Sequence, residues 1–233
     1  MTQPHYDDTS DQLAVRKEKR ARLLAAGRDP YPPQLEITHT IGEVRAGYGV
    51  KREGDEEAVS ADVVLQPGQE LTEEHVKLAG RVMLLRPSGK IAFAQLQAGD
   101  GQRIQVIFSL ANIGKEALDS LKADVDLGDF VWVAGYVGAS KRGELSIFAT
   151  EWMLASKAIR PLPKTFVAED GTEMALSEET RVRNRHLDLI TRDAARQIVR
   201  VRAGMMKSIR KTFDERGYLE VETPILQPLH GGA

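Results

Sequence analysis

The residues with the clearest chemistry lie in a stretch of short, alternating segments between residues 75 and 156. Phe93 occurs in KIAFAQLQ, Gln105 in RIQVIF and Glu144 in RGELSI. An aromatic ring stacks on an unpaired base, an amide pairs with a uracil edge, and a carboxylate accepts a hydrogen bond from a base. Each residue also has a plain structural interpretation. A phenylalanine in a strand often belongs to the hydrophobic core, and polar side chains in a strand are often simply exposed to solvent.

Cationic residues near these three are candidates for phosphate contacts. Arg81 and Arg86 belong to the first segment, and Lys141 and Arg142 precede Glu144. Phosphate contact adds affinity without sequence information. A second basic group occurs near the N-terminus, where five basic residues accompany the single acid Glu18: Arg16, Lys17, Lys19, Arg20 and Arg22.

That basic group lies on a predicted helix from Asp11 to Gly27, which is rich in helix formers and ends at a glycine. Such a helix either lies along phosphates, with Arg16 and Arg20 as contacts, or presents an ordinary solvated face.

Residues 1–10 are polar, and we expect them to be disordered. Thr40 and Glu43 form a capping-box pattern that opens a short helix over 40–47, and residues 51–74 are predicted to be an irregular surface segment.

The whole composition limits the possible functions. The chain has 233 residues, a formal net charge of −2 and no cysteine. Disulfides, thiolate metal sites and thiol nucleophiles are therefore excluded, and we predict no metal site. The sequence lacks a signal-peptide pattern and any run of ~20 apolar residues, so we expect a cytoplasmic protein without a membrane partner.

Five β-type segments and one helical segment must position the candidate residues. Hairpin sequences PSG, GDG and SKRG join the first to the second strand, the second to the third, and the fourth to the fifth. A helix between the third and fourth strands favours a five-stranded OB-fold β-barrel over an SH3-like barrel. Alternation along KIAFAQLQ places Phe93 on the opposite face from Ala92 and Ala94. An OB-fold by itself indicates binding of an oligonucleotide or an oligosaccharide, and the basic helix argues for the former.

The C-terminal quarter has a different pattern. A proline-bearing linker over 157–176 precedes Ser177, which is placed to cap a helix through ETRVRNRHLDLI. A long helix from Thr191 to Arg216 follows, with Gly217 ending it and YLEVETP forming a strand. Glu220 and Glu222 read as structural residues. The apolar stripe of the long helix consists of Ile198, Val201, Met205, Ile209 and Phe213.

The order of these pieces resembles bacterial lysyl-tRNA synthetases from about Asp11 to the last residue. The resemblance rests on KRARLLAAGRDPYP, AGRVMLLRPSGKIAFAQLQ, GELSI, RPLP, RVRNRHLDLI and GYLEVETPILQPLHGGA. GYLEVETP is similar to motif 1 of class II synthetases. Ala98 and His186 depart from the family pattern, at positions where an aspartate and a tyrosine are common.

The resemblance implies a mixed α and β chain: an N-terminal helical extension (11–74), an OB-fold anticodon-binding domain (75–156), a linker, and the truncated start of a class II α+β catalytic domain (177–233). Phe93, Gln105, Glu144, Arg86 and Arg81 match anticodon-binding positions. The implied homodimer interface in motif 1 includes Ile198, Val201, Met205, Ile209, Gly217 and Pro224. His230 and the residues after it, Gly231, Gly232 and Ala233, resemble the edge of the lysine pocket.

The implied activity is ATP-dependent joining of lysine to tRNA-Lys through lysyl-adenylate, with ATP and Mg²⁺ as cofactors and no DNA partner. The family's motifs 2 and 3 are expected beyond Ala233, so we predict no catalytic residues in this chain and no activity of the chain alone. Two alternatives stay open. One is a non-catalytic RNA-binding protein, and the other is a fragment of an aspartate- or asparagine-type synthetase.

Overall fold

The structure is a computed structural model that describes residues 10–51, 61–163, 166–167, 173–174, 176–224 and 226. It divides into two compact units, Met1–Arg183 and Asn184–Ala233, which are described separately. The predicted disordered tail, apart from Ser10, and the predicted lysine-pocket residues His230, Gly231, Gly232 and Ala233 lie outside the described residues.

Two helices open the first unit, as predicted. Helix α1 spans Ser10–Ala25 and ends where Gly27 adopts a φ of 70°, a conformation that glycine adopts without steric cost. Helix α2 spans Ile41–Gly47 and begins with the predicted capping box: the Glu43 N–H donates to Thr40 Oγ1 at 3.1 Å, and the Thr40 N–H donates to Glu43 Oε2 at 2.7 Å. The reciprocal bonds satisfy amide groups that a helix start leaves unpaired.

The prediction of an irregular segment over 51–74 is wrong at two places. Strand β1, Tyr48–Val50, pairs in parallel with β2, Val63–Leu65, and the first barrel strand already begins at Glu70. The acidic residues before Val63–Leu65 favoured the prediction of an irregular segment, although this short apolar run is typical of a strand. In the structure Leu65 is fully buried in the hydrophobic core, and this burial anchors the short strand.

Five strands form the barrel, with the connectivity that the sequence predicts. Their order is β3-β4-β5-β7-β6, and the ring is closed by pairing of β3 with β6. Within the barrel, β5 and β7 pair in parallel, and the other neighbouring strands are antiparallel. Helix α3, Leu110–Asp124, lies between the third and fourth strands, as an OB-fold requires. The strands are β3 Glu70–Ser88, β4 Ile91–Gln97, β5 Arg103–Ser109, β6 Phe130–Ala139 and β7 Leu145–Ser156.

Alternate strand residues fill the barrel interior. On β4, for example, Ala92, Ala94 and Leu96 are buried, so Phe93 and Gln95 lie on the outer face. Apolar residues of α2 and α3 belong to the same core. These helix residues are Ile41, Val44, Leu118 and Leu121.

Two described parts of the predicted linker form short strands. Two short strands, β8 at Phe166–Val167 and β9 at Glu173–Met174, pair antiparallel. Ser177 Oγ accepts a hydrogen bond from the Thr180 N–H at 3.2 Å, so the predicted cap is confirmed. The single predicted helix is wrong, however: α4, Glu178–Arg183, stops at Asn184, whose φ of −115° and ψ of 58° are not helical.

The second unit consists mainly of two helices. Helix α5 spans Arg185–Thr191 and α6 spans Asp193–Glu215. Gly217, with a φ of 79°, ends α6 as predicted, and the Tyr218 N–H donates to Phe213 O at 3.1 Å. Asp188, buried to 1% exposure, holds the α5–α6 junction by ion pairs with Arg185 and Arg192.

One expectation for this unit is wrong. YLEVETP is not a strand: no described residues of the chain form a strand beside residues 218–224, and Leu219 and Val221 are exposed. The apolar stripe of α6 is exposed as well, with Ile198 at 57% and Val201 at 70%. Among the described residues, α6 buries Ala195 and Arg196. No helix in the described part of the chain has the length and apolar character needed to cross a membrane.

Candidate nucleic-acid interface

The outer face of β4 carries the predicted stacking residue. Phe93 is partly exposed and pairs in register with Arg86 of β3 on one side and Ile107 of β5 on the other. The predicted orientation of Phe93, opposite to Ala92 and Ala94, is confirmed by the burial of those alanines. An aromatic side chain is thus available on a barrel surface, beside an exposed cation.

Gln105 and Glu144, which are 39 residues apart in sequence, meet on the same surface. Gln105 Nε2 donates to Glu144 Oε2 at 2.7 Å. Ser146 Oγ lies 2.8 Å from Gln105 Oε1 and 2.8 Å from the Glu144 carbonyl oxygen. The parallel pairing of Gln105 with Ser146 brings the three residues together, and sequence reasoning missed Ser146.

An arginine adjacent to this group was also missed. Arg103, exposed at the start of β5, donates from Nε to Gln97 Oε1 at 2.9 Å and from its terminal nitrogen to Gln95 Oε1 at 3.2 Å. Gln95 pairs in register with Gln105. Alternation along RIQVI indicates the shared face of Arg103 and Gln105, so the signal was present in the sequence.

The other predicted cations of the barrel differ in position. Arg86, Lys141 and Arg142 are exposed. Arg81 lies elsewhere: it pairs in register with Gln97, four residues along β4 from Phe93, and donates to Gly128 O at 2.9 Å. Burial lowers the pKa of Arg81, against an opposing effect of the nearby Asp129 carboxylate. The structure therefore does not bring Arg81 together with Phe93.

The predicted phosphate-binding role of α1 needs correction at Arg16. This residue is 7% exposed and donates to the carbonyl oxygens of Ala158 and Leu127, each at 2.9 Å. Lys19 pairs with Asp126 at 2.7 Å, and the Arg20 guanidinium lies 5.5 Å from the ring centroid of Tyr31. The helix thus turns much of its charge toward its own domain, where acidic residues and carbonyl groups bind it.

Those acidic residues surround a buried lysine. Lys157 Nζ has no exposed side-chain surface and contacts Asp124 O, Asp126 Oδ2 and Asp129 Oδ2 at 2.6–2.8 Å. Desolvation acts to raise the pKa of Asp126, but hydrogen bonds from Lys157 and Lys19 outweigh it, so the net pKa is lowered. The cluster holds α1 and the residue after β7 against the loop that follows α3.

An aromatic pair lies farther around the outer surface. Phe148 and Tyr136 are stacked, with ring centroids 5.3 Å apart and an angle of 2° between the planes. The Phe148 ring lies over Gly138, where an added Cβ would come within 2.7 Å of Phe148 Cε2. Burial, and then the hydrogen bond to Glu70, raise the pKa of Tyr136.

Among the described residues, no group of three or more histidines, aspartates or glutamates is arranged to hold a metal ion. Glu220 is ion-paired with Arg210 at 2.9 Å, in line with the structural role predicted for it. The barrel surface described above carries an aromatic ring, a polar pair and exposed basic side chains.

Comparison with known proteins defines the class first. A family model described as an OB-fold nucleic acid binding domain matches residues 76–155, and one described as class II tRNA synthetases (D, K and N) matches residues 177–233. The chain is thus similar to OB-fold nucleic acid binding domains over its barrel and to class II tRNA synthetases over its C-terminal part.

Three relatives that the chain matches are named lysine–tRNA ligases. The chain is 46% identical to the lysine–tRNA ligase of Kineococcus radiotolerans over 228 residues, which cover 98% of this chain and 41% of that protein. It is 48% identical to the enzyme of Mycobacterium tuberculosis over 227 residues, with 97% and 41% covered. For Mycolicibacterium gilvum the identity is 47% over 234 residues, with 100% and 42% covered.

The chain is therefore a homologue of lysine–tRNA ligases over nearly its whole length, and the resemblance drawn from the sequence motifs is confirmed. It spans about 41% of the length of these relatives.

Proposed function

We propose that the outer face of β4 and β5 binds the unpaired anticodon bases of a tRNA accepting lysine, within a lysine–tRNA ligase. The observation that carries the proposal is the Gln105–Glu144 hydrogen bond of 2.7 Å on the face that also exposes Phe93. A stacking ring beside a fixed polar pair suits a splayed base, which offers both a flat face and a hydrogen-bonding edge.

Each side chain has a separate role in this proposal. Phe93 stacks on a base, and Gln105 forms hydrogen bonds with a uracil edge. Glu144 binds the Gln105 amide and also accepts a hydrogen bond from a base that comes within reach of its carboxylate. Arg86, Lys141 and Arg142 contact phosphates, because these cations are exposed around the same surface. The cations supply affinity, and the polar pair supplies the sequence preference.

The longer protein's activity, formation of lysyl-tRNA with ATP and Mg²⁺ in the cytoplasm, is part of the same proposal. The exposed apolar stripe of α6 supports a homodimer in which a second copy covers it. Met205 at 54% exposure and Ile209 at 43% are its central residues, and two-fold contacts are the commonest way to bury such a surface.

The test is a binding measurement on the whole 233-residue chain with an RNA stem-loop that carries a UUU anticodon. We expect Phe93→Ala to weaken binding roughly tenfold or more, since base stacking on an aromatic ring contributes ~1–3 kcal/mol. Tyr31→Ala serves as the control, because Tyr31 is an exposed aromatic residue outside the proposed surface. Equal affinities for wild type and Phe93→Ala, or no preference for UUU over an unrelated loop, would refute the proposal.

A further inference from the structure

We propose that Ser146 is a positioning residue that, with Glu144, fixes the orientation of the Gln105 amide so that it accepts uracil and rejects cytosine. The inference rests on the proposed function and assigns the source of its base preference. Ser146 makes no base contact in this proposal and acts only through Gln105.

The chemistry of Glu144 determines which end of the amide faces it. An ionised carboxylate only accepts hydrogen bonds, so the atom 2.7 Å from Glu144 Oε2 must be the Gln105 nitrogen. A reversed amide would place two oxygen atoms at that separation. The nitrogen therefore faces Glu144, the residue just before β7, and the amide oxygen faces Ser146.

Ser146 secures the other end of the amide. Its Oγ has one hydrogen and two neighbouring oxygens, Gln105 Oε1 and the Glu144 carbonyl, each at 2.8 Å. Because Oε1 is an acceptor, this contact is favourable when the hydroxyl donates to it. Ser146 is fully buried and lies in register with both Gln105 and Gly138, so neighbouring strands keep the hydroxyl in place.

The fixed amide retains one N–H and one oxygen lone pair for a ligand. Uracil offers an N3–H donor beside its O4 acceptor, which complements an amide in this orientation. Cytosine offers the reverse pattern, an N3 acceptor beside an amino donor, and matches only a reversed amide. A reversed amide would lose the hydrogen bond to Glu144 and bring its oxygen against the carboxylate.

The experiment compares two stem-loops that differ only in the central anticodon base, UUU and UCU, on the whole 233-residue chain. We expect Ser146→Ala to lower the ratio of the two affinities roughly two- to twelvefold, which corresponds to one hydrogen bond of ~0.5–1.5 kcal/mol. Ser146→Cys, which keeps the packing but is a weak donor, should lower the ratio in the same direction.

A double-mutant comparison separates positioning from general structure. In a Gln105→Ala background, Ser146→Ala should leave the ratio unchanged, because no amide remains to be oriented. Thr150→Ala is the matched control: Thr150 is an exposed hydroxyl of the same strand that donates to Ala134 O at 3.2 Å. Its removal should leave the ratio as in wild type.

The outcomes distinguish the two proposals. If wild type prefers UUU and both Ser146 variants keep that preference, the positioning role is overturned while the proposed function stands. A fall in the ratio that is equally large without Gln105 overturns it as well. If wild type binds neither stem-loop, the proposed function and this inference fail together.

Discussion

At the scale of single residues, the Arg103 guanidinium is held on the barrel surface by two hydrogen bonds. Two of its five N–H groups are bound by the side-chain oxygens of Gln97 and Gln95. These two bonds restrict the guanidinium of an exposed residue. Its strand neighbour on the same face is Gln105, so an RNA strand crossing the polar pair would pass close to Arg103.

We predict that Arg103→Gln weakens binding of the UUU and UCU stem-loops by the same factor. A phosphate contact releases counterions whatever the base, so the slope of log affinity against log salt should fall by ~0.7 for single-stranded RNA. A salt titration of binding measures both effects. Lys115→Gln, at an exposed lysine of α3, controls for the lost charge, and a change in the UUU to UCU ratio would contradict the phosphate role.

At the scale of elements, the buried Lys157 connects three parts of the first unit. It follows β7 directly and binds Asp124, Asp126 and Asp129 in and after the C-terminal end of α3. Asp126 in turn binds Lys19 of α1. The Asp126 carboxylate thus binds both the basic helix and the residue that follows the last barrel strand.

Lys157→Met is predicted to lower the free energy of unfolding by ~3–5 kcal/mol, because it leaves the fully buried Asp129 carboxylate without its cation. Urea unfolding followed by circular dichroism measures this loss. Lys115→Met removes an exposed lysine of α3 and should change stability by less than ~0.5 kcal/mol. Comparable losses in the two variants would show that the cluster contributes little.

The acid dependence of stability gives a second check on the same cluster. Desolvation acts to raise the pKa of Asp126, but hydrogen bonds from Lys157 and Lys19 lower it below its ordinary 3.8. A carboxyl group with a lowered folded-state pKa stabilises the fold above pH ~4. This stabilisation is lost as the pH falls through the folded-state pKa. The decline in wild-type stability below pH ~4 should therefore be shallower in Lys157→Met.

At the scale of the whole molecule, apolar burial is unevenly divided. The main hydrophobic core, from Leu23 to Leu154, lies within the first unit. Among the described residues of the second unit, the buried apolar side chains are Leu187 and Ala195. The stability of the first unit therefore derives from its own barrel and helices.

We predict that residues 1–183 expressed alone keep the midpoint of thermal unfolding of the barrel and the affinity for the UUU stem-loop. Removal of 184–233 takes away exposed apolar residues such as Val201 and should also reduce self-association. Calorimetry and the binding assay on both chains test this. A large drop in the unfolding midpoint would show that the second unit supports the barrel.

Local sequence determined much of this protein. The capping box at Thr40, the glycine end of α6 and the outward face of Phe93 depend on neighbours within a few residues, so the chain pattern alone predicts them. The number of barrel strands and the inserted helix followed from alternation and hairpin residues in the same way.

Only the tertiary structure decided which groups meet. Gln105, Glu144 and Ser146 come together through the parallel pairing of β5 and β7, which no local pattern specifies. Likewise, Arg16 looks like a surface cation in the sequence, yet it is buried against carbonyl groups more than 100 residues away. A segment such as YLEVETP becomes a strand only when its backbone groups have a partner, and its alternation alone does not supply one. Periodicity fixes the direction of a side chain, whereas long-range pairing fixes its partners.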